Sequence, residues 1–235
     1  DDGVDAASDT RTHLTRISQR FLSALTLLTR EGRLYEVDTR LRPGGSDGPL
    51  AVSLAAFDAY FTNSAWTYEH MALTRARVVA SNHTEFVGRI EEVVERHIHK
   101  PREVAALHHD VVAMRERIAK QFPTHNPWAL KHIRGGMVDL DFIAQYLVLL
   151  HAHAHPGIWH RSANQVFEHA ACSGLLDSAI AEPLMKAKHY LSDVMSLLRL
   201  SAPGGVITDD APMGLKNLLT HGMRSADFEE LKKQV

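Results

Sequence analysis

The chain has 235 residues and a mass of 26.2 kDa, and its 45% hydrophobic and 23% charged residues are enough to form a buried core without intrinsic disorder. Its 26 basic and 28 acidic residues leave a formal net charge of −2, so a chain-wide basic surface for nucleic acid is not indicated. The sequence has no run of about 18 apolar residues and no signal-peptide layout, so we expect no membrane partner, and its single cysteine, Cys172, fits a cytoplasmic location.

The first predicted element is a helix with one buried face. Ser8 or Asp9 is expected to cap its start, and Gly32 follows its end. Its apolar residues recur at steps of three and four: Leu14, Ile17, Phe21, Leu25 and Leu28.

The next segment, RLYEVDTRLRPGG, alternates with a period of two and predicts a strand that ends at Pro43. One face would carry Tyr35, Val37, Thr39 and Leu41, and the other Glu36, Asp38, Arg40 and Arg42. A single strand cannot form a sheet, so its neighbours are either strands hidden from this pattern or sequence that the chain does not include.

After this strand the sequence is almost wholly helical. Apolar spacing and caps predict five helices and a broken stretch over 123–136: Ser53 to Phe61, Trp66 toward Val79, Val104 to Ile118, Val138 to His153 and Asp177 to Leu200. We therefore predict an α+β, mostly α fold, with a domain boundary near Ser81 and Asn82.

The charged strand face has two interpretations. Four ionisable residues in alternation cannot all pack against a dry core, because each unpaired buried charge would cost several kcal/mol. They could form ordinary Glu–Arg pairs facing solvent. Alternatively, Asp38 could hold a divalent metal while Arg40 and Arg42 receive phosphate oxygens.

Three segments resemble the glutamine synthetase adenylyltransferase family, a bifunctional family that adds AMP to glutamine synthetase and removes it. They are GRLYEVDTRLRPGGSDGPL, AWTYEHMALTRARVVA and RGGMVDLDFIAQYLVL, and the resemblance covers roughly residues 10–200. The second segment is more similar to the C-terminal, adenylylating half of the family. Family members carry a Gly-Ser loop and an Asp-x-Asp pair before this strand. Neither precedes Asp38 here, so an N-terminally truncated fragment is expected.

The resemblance implies a fold and a function. Residues 1–82 would be the C-terminal part of a nucleotidyltransferase domain that lacks its first strands, and 83–235 a helical bundle domain. The activity would be transfer of AMP from ATP to a tyrosine of glutamine synthetase, with phosphorolytic removal in the whole protein, in the regulation of nitrogen assimilation. It further implies Mg²⁺ as cofactor, ATP as substrate, and glutamine synthetase and a PII-type signal protein as partners. The fragment alone is expected to be inactive. The alternative is a non-catalytic fragment that docks glutamine synthetase or a PII-type protein.

The resemblance also suggests roles for single residues. Asp38 would be the catalytic carboxylate and a metal ligand. Binding of nucleotide phosphates or of the partner would fall to Arg40, Arg42, Arg75, Arg77 and Lys131. A structural role, or one in orienting the binding residues, would fall to Glu36, Glu69, Gly135, Gly136, Asp139 and Asp141. Asp139 and Asp141 are two apart, so on a helix they cannot both face one metal.

Overall fold

A computed structural model describes residues 2–235, with the side chains of residues 2–9, 11 and 203 outside the description. The chain is 62% helical and contains ten α-helices and one two-stranded sheet within that range, which confirms the α+β, mostly α class. The elements are α1 (Asp2–Thr26), β1 (Leu28–Thr29), β2 (Gly32–Arg33), α2 (Leu54–Asn63), α3 (Thr67–Leu73), α4 (Thr84–Ile98), α5 (Val104–Gln121), α6 (Met137–His151), α7 (Ala163–Cys172), α8 (Ser178–Ser201), α9 (Met213–Gly222) and α10 (Phe228–Gln234). No helix in the described range is long and apolar enough to cross a bilayer.

The first helix differs from its prediction at both ends and in its packing. It starts at Asp2, so Ser8 and Asp9 lie inside α1 rather than at a cap, and their side chains lie outside the described set. The face expected to be buried is exposed, with Leu14 at 49% and Phe21 at 62%. The spacing of its apolar residues correctly indicates an amphipathic helix, but the apolar face becomes buried only if a second surface packs against it.

The predicted strand over 35–42 is wrong. The described sheet is a small hairpin in which β1 and β2 pair antiparallel, with Leu28 opposite Arg33, and Gly32 adopts a positive φ at the turn. Residues 35–40 have no regular secondary structure and pair with no described strand. Alternation of apolar and polar residues determines which face each side chain would occupy. A β-strand also needs a neighbouring strand whose free backbone groups can form the hydrogen-bond ladder.

The helix expected to run from Trp66 toward Val79 is much shorter, since α3 ends at Leu73. Two side chains of the loop before α7 take the carbonyls that a longer helix would use. Trp159 Nε1 donates to the Thr74 carbonyl at 2.9 Å, and Arg161 Nε donates to the Ala76 carbonyl at 2.8 Å.

The caps predicted at Ser53 and Asp177 are confirmed. The Ser53 hydroxyl accepts a hydrogen bond from the Ala56 N–H at the start of α2, and the Asp177 carboxylate accepts one from the Ala179 N–H at the start of α8.

The helices from α2 onward bury three apolar clusters, two of them large. One is centred on Ile98, Val148 and Phe167, and it also contains Phe61 and Leu73 from α2 and α3. Residues on both sides of positions 81 and 82 thus pack into one cluster, and the domain boundary there stays a prediction. The other large cluster joins α6, α8 and the C-terminal helices through Trp128, Leu140, Val194, Leu198, Leu219 and Leu231.

Candidate functional site

A cavity of about 630 Å³ lies between α2, α3, α4 and the loop before α7. Its volume is in the range of ligand-binding pockets. Its walls are mostly apolar and include Phe57, Phe61, Leu73, Val94 and Trp159. Its charged lining consists of Arg42, Arg75, Arg77, Arg161, Glu69 and Glu91. The fold therefore gathers four of the predicted site residues (Arg42, Glu69, Arg75 and Arg77) around one opening.

Arg42 uses its guanidinium to hold the loop that borders the cavity. It donates to the carbonyls of Thr39, Ser46 and Gly48 and to the Thr39 hydroxyl, at distances of 2.5–3.1 Å. A side chain at position 48 would overlap the carbonyl oxygen of Pro43, so only glycine fits this closely packed turn. The guanidinium of Arg42 is therefore occupied by the protein's own backbone.

Asp38 forms a close ion pair with Arg40, two residues along the extended segment. Arg40 Nε lies 3.0 Å from each carboxylate oxygen and Nη2 lies 2.6 Å from Oδ2, while the Arg40 backbone N–H donates to Oδ1. These bonds lower the pKa of Asp38 to about 2. Glu36, the other acid of this segment, is exposed and lies 3.8 Å from Arg33.

The described side chains around Asp38 supply few of the ligands that the predicted magnesium site would need. Mg²⁺ takes six oxygen ligands, of which proteins typically supply one or two carboxylates beside substrate phosphates. Asp38 offers a single carboxylate whose two oxygens both contact Arg40. In the part of the chain that the structure describes, no cluster of three or more His, Cys, Asp or Glu side chains has metal-site geometry. As they are arranged, these residues do not fit a magnesium site by themselves.

Glu69 is buried beneath the cavity and joins α2 to α3. Its Oε1 accepts a hydrogen bond from the Tyr60 hydroxyl at 2.7 Å, and its Oε2 accepts one from the Trp66 N–H at 2.9 Å. Burial and this carboxylate raise the pKa of Tyr60 to about 12. Both oxygens of Glu69 are satisfied within the protein, which fits its predicted structural role.

Arg75 connects the cavity rim to the helices behind it. Its Nη1 lies 2.9 Å from Asp141 on α6, and Asp141 also contacts Lys188 on α8 at 2.5 Å. The sequence patterns single out Arg75 and Asp141 but not Lys188, because nothing local marks a lysine on a distant helix as their partner.

Arg77 and Arg161 also line the cavity. Arg77 is exposed and forms no ion pair or hydrogen bond to any described residue. The Arg161 guanidinium lies 5.7 Å from the Trp159 ring centre, a cation–π contact, and only its Nε is used in the bond to Ala76. No sequence pattern singles out Trp159 or Arg161 as site residues. The local feature that could have indicated them is an aromatic and a basic residue close together in the short loop after Pro156.

Asp139, Gly135 and Gly136 form a separate structural cluster at the start of α6. The Asp139 carboxylate accepts a hydrogen bond from the Gly135 N–H at 2.6 Å and pairs with the buried Arg115. Asp139 and Asp141 thus contact different partners, in keeping with their spacing. Lys131 is exposed near this cluster and does not line the cavity.

Comparison with known proteins gives a consistent result. The family model described as glutamate–ammonia ligase adenylyltransferase matches residues 1–92. The chain is 42% identical over 219 residues to the bifunctional glutamine synthetase adenylyltransferase/adenylyl-removing enzyme of Xanthobacter autotrophicus, which covers 93% of this chain. It is 41% identical over 239 residues to the enzyme of that name from Rhodopseudomonas palustris, and 42% identical over 223 residues to that of Bradyrhizobium diazoefficiens. Over nearly its whole length the chain is similar to a part of enzymes of the glutamate–ammonia ligase adenylyltransferase family.

The match covers only part of each relative. The chain spans about a quarter of the length of these relatives, 22% of the Xanthobacter enzyme and 24% of the Rhodopseudomonas enzyme. The stretch that matches the adenylyltransferase family model holds the Asp38–Arg40 pair and most of the cavity lining, whereas Val94, Gln145, Trp159 and Arg161 lie beyond it.

Proposed function

We propose that this chain takes part in the transfer of AMP from ATP to a tyrosine of glutamine synthetase, in the cytoplasm, as a segment of a bifunctional enzyme that also removes AMP by phosphorolysis. Regulation of nitrogen assimilation and contact with a PII-type signal protein belong to the same proposal. The observation that carries it is an identity of 41% that extends over the whole chain to a relative whose name includes adenylyl transfer to glutamine synthetase.

In such a transfer the tyrosine oxygen forms a bond to the α-phosphorus of ATP, pyrophosphate leaves, and the phenolic proton goes to a base. Asp38 would lie at the reacting phosphate. With a pKa of about 2, its carboxylate is charged at neutral pH but is a weak base. This favours a role in orienting and stabilising charge over acceptance of the phenolic proton, for as long as Arg40 remains paired with it.

Mg²⁺ remains part of the proposal for the whole enzyme. When bound, it would neutralise charge on the phosphates. Since the described carboxylates do not form a site for it, its remaining ligands would have to come from other parts of a full-length family member or from ATP.

Asp38 can be tested in a chimera in which this chain replaces the matching segment of the Xanthobacter relative. We expect the chimera to incorporate AMP from α-labelled ATP into glutamine synthetase. We expect Asp38→Asn, which keeps the shape and removes the charge, to lower that rate on the order of 100-fold or more. Near-normal incorporation by Asp38→Asn would refute the assignment.

Arg40→Ala is the matched control, because it breaks the same ion pair but keeps the carboxylate. We expect it to retain most of kcat. Its effect should fall on the KM for ATP if Arg40 binds phosphate, and on the KM for glutamine synthetase if it binds the partner. An equal loss of kcat in both variants would show that only the ion pair matters. Arg42→Ala is a poor probe of binding, because it would also release the 39–48 loop.

A further inference from the structure

The cavity has few cations available for a ligand. Of the four arginines in its lining, Arg42 is bonded to the 39–48 backbone and Arg75 is paired with Asp141. Among the described residues this leaves Arg77 and the terminal nitrogens of Arg161, together with one exposed carboxylate in the lining, Glu91. Such a rim suits an apolar group flanked by a small number of acidic groups, and it is too weakly charged for a triphosphate.

The backbone beside this rim is irregular, and its residues 77–80 are unpaired among the described residues. Residues 76–80 have no regular secondary structure, and their side chains alternate, with Ala76 and Val78 partly buried and Val79 86% exposed. Among the described residues, no backbone N–H or carbonyl of 77–80 takes part in a hydrogen bond. Such an edge can pair with an added strand, in which backbone bonds supply affinity and an adjacent pocket supplies specificity.

We infer that this surface, the cavity rim with the 77–80 segment, binds an extended acidic segment of a partner protein. The partner segment would pair with the 77–80 backbone, insert one large apolar side chain into the cavity, and place its carboxylates against Arg77 and Arg161. A stretch of free backbone beside an apolar cavity favours a peptide over a small molecule, and the excess of arginine favours acidic residues around the inserted side chain. The inference does not depend on AMP transfer, because it rests on this surface alone.

Binding can be measured by fluorescence anisotropy with the 235-residue chain and a labelled peptide, Ser-Gly-Glu-Glu-Phe-Glu-Glu-Gly-Ser. Three sets of control peptides separate the contributions: Phe→Gly removes the inserted side chain, Glu→Lys reverses the charge, and N-methylation of alternate residues in either register removes the backbone donors. We expect the parent peptide to bind at least tenfold more tightly than the Gly and Lys peptides and than one of the two N-methylated registers.

The protein variants test the location. Arg77→Ala should weaken binding several-fold, whereas Arg117→Ala, an exposed arginine on α5 away from the cavity, should not change it. Circular dichroism of both variants establishes that they fold. Equal binding of all peptides, or no effect of Arg77→Ala, would overturn the inference. Displacement of the peptide by ATP, together with direct, Arg77-dependent ATP binding, would assign the cavity to a nucleotide and overturn it as well.

Discussion

At the scale of single residues, His70 is the most unusual titratable group in the described chain. It is 6% exposed, its Nδ1 has no hydrogen-bond partner among the described residues, and its ring packs against Phe61 at 5.3 Å and near His97 at 6.2 Å. Burial, followed by the charges of Arg102, His97 and Lys100, lowers the pKa of His70 to about 4. A neutral imidazole is thus built into the junction of α2, α3 and α4.

This burial makes stability depend on pH. Because the folded-state pKa of His70 lies below its ordinary value of 6.5, the unfolded chain binds a proton more readily between about pH 6.5 and 4. The stabilisation that the folded state gains from the neutral His70 is complete above pH 6.5 and is lost as the pH falls toward 4. We expect a loss of about 2 kcal/mol in the free energy of unfolding between pH 7 and pH 5.

Urea unfolding at pH 7, 6 and 5 measures this effect. His70→Phe keeps an aromatic ring and should remove most of the difference, while His109→Phe, an exposed histidine on α5, should leave it unchanged. If His70→Phe shows the same pH dependence as the unaltered chain, other groups cause it.

The residues around the site show what a sequence pattern can and cannot reveal. Alternation predicted that Asp38 and Arg40 share a face, and their side chains do form an ion pair, although residues 35–40 form no strand. It could not show that their charges neutralise each other, or that Arg42 would be bonded to its own loop. The second outcome depends on the turn at 43–48, which forms around the Arg42 guanidinium.

At the scale of elements, the local cap signals at Ser53 and Asp177 were confirmed, whereas the one at Ser8 or Asp9 was not. The caps at Ser53 and Asp177 were predictable because a capping side chain acts within its own turn. The predictions of a strand over 35–42 and of a long α3 were wrong. The strand has no described neighbour, and the residues after α3 are bonded to Trp159 and Arg161, more than 80 residues away. Such contacts leave no local trace in the sequence.

The start of α6 offers a prediction at this scale. Gly136 caps the helix with an ordinary negative φ, but a Cβ there would overlap the Leu130 carbonyl oxygen and approach the Ile133 carbonyl oxygen. The Leu130 carbonyl accepts a hydrogen bond from the Met137 N–H and the Ile133 carbonyl accepts one from Arg115, so this backbone cannot move without weakening both bonds. We expect Gly136→Ala to lower the free energy of unfolding by about 2–4 kcal/mol.

Gly88 is the matched control, because it lies inside α4, is exposed, and has open space around its missing Cβ. We expect Gly88→Ala to raise stability by about 0.5–1 kcal/mol. Thermal or urea unfolding of both variants decides the matter, and a Gly136→Ala protein as stable as the parent would show that the 130–136 loop adapts freely.

At the scale of the whole molecule, packing is distributed unevenly along the chain. The described residues from α2 onward bury Trp128, Ile98, Phe167 and Leu231 completely, whereas residues 10–41 expose Phe21, Leu28, Tyr35 and Leu41. The mostly α class was predictable from periodicity. The contrast in burial between the two parts of the chain was predicted only in part. The sequence indicated that the strand lacked neighbours, but periodicity also predicted a buried face for the first helix.

The contrast predicts how the 235-residue chain behaves alone. Helices whose amides are covered by packed neighbours open only with large parts of the core, so we expect slow amide exchange over α6, α7 and α8. We expect fast exchange over residues 10–26 of α1 and residues 34–41, because none of the described side chains there is buried. With one candidate catalytic carboxylate and no described cluster fit for a metal, this chain should not transfer AMP to glutamine synthetase by itself. Exchange mass spectrometry and an incorporation assay with labelled ATP check both parts on one sample. Protection of α1 equal to that of α6 in a monomer, established by gel filtration, would mean that its apolar face is packed after all, and AMP incorporation would mean that the remaining catalytic groups lie within these 235 residues.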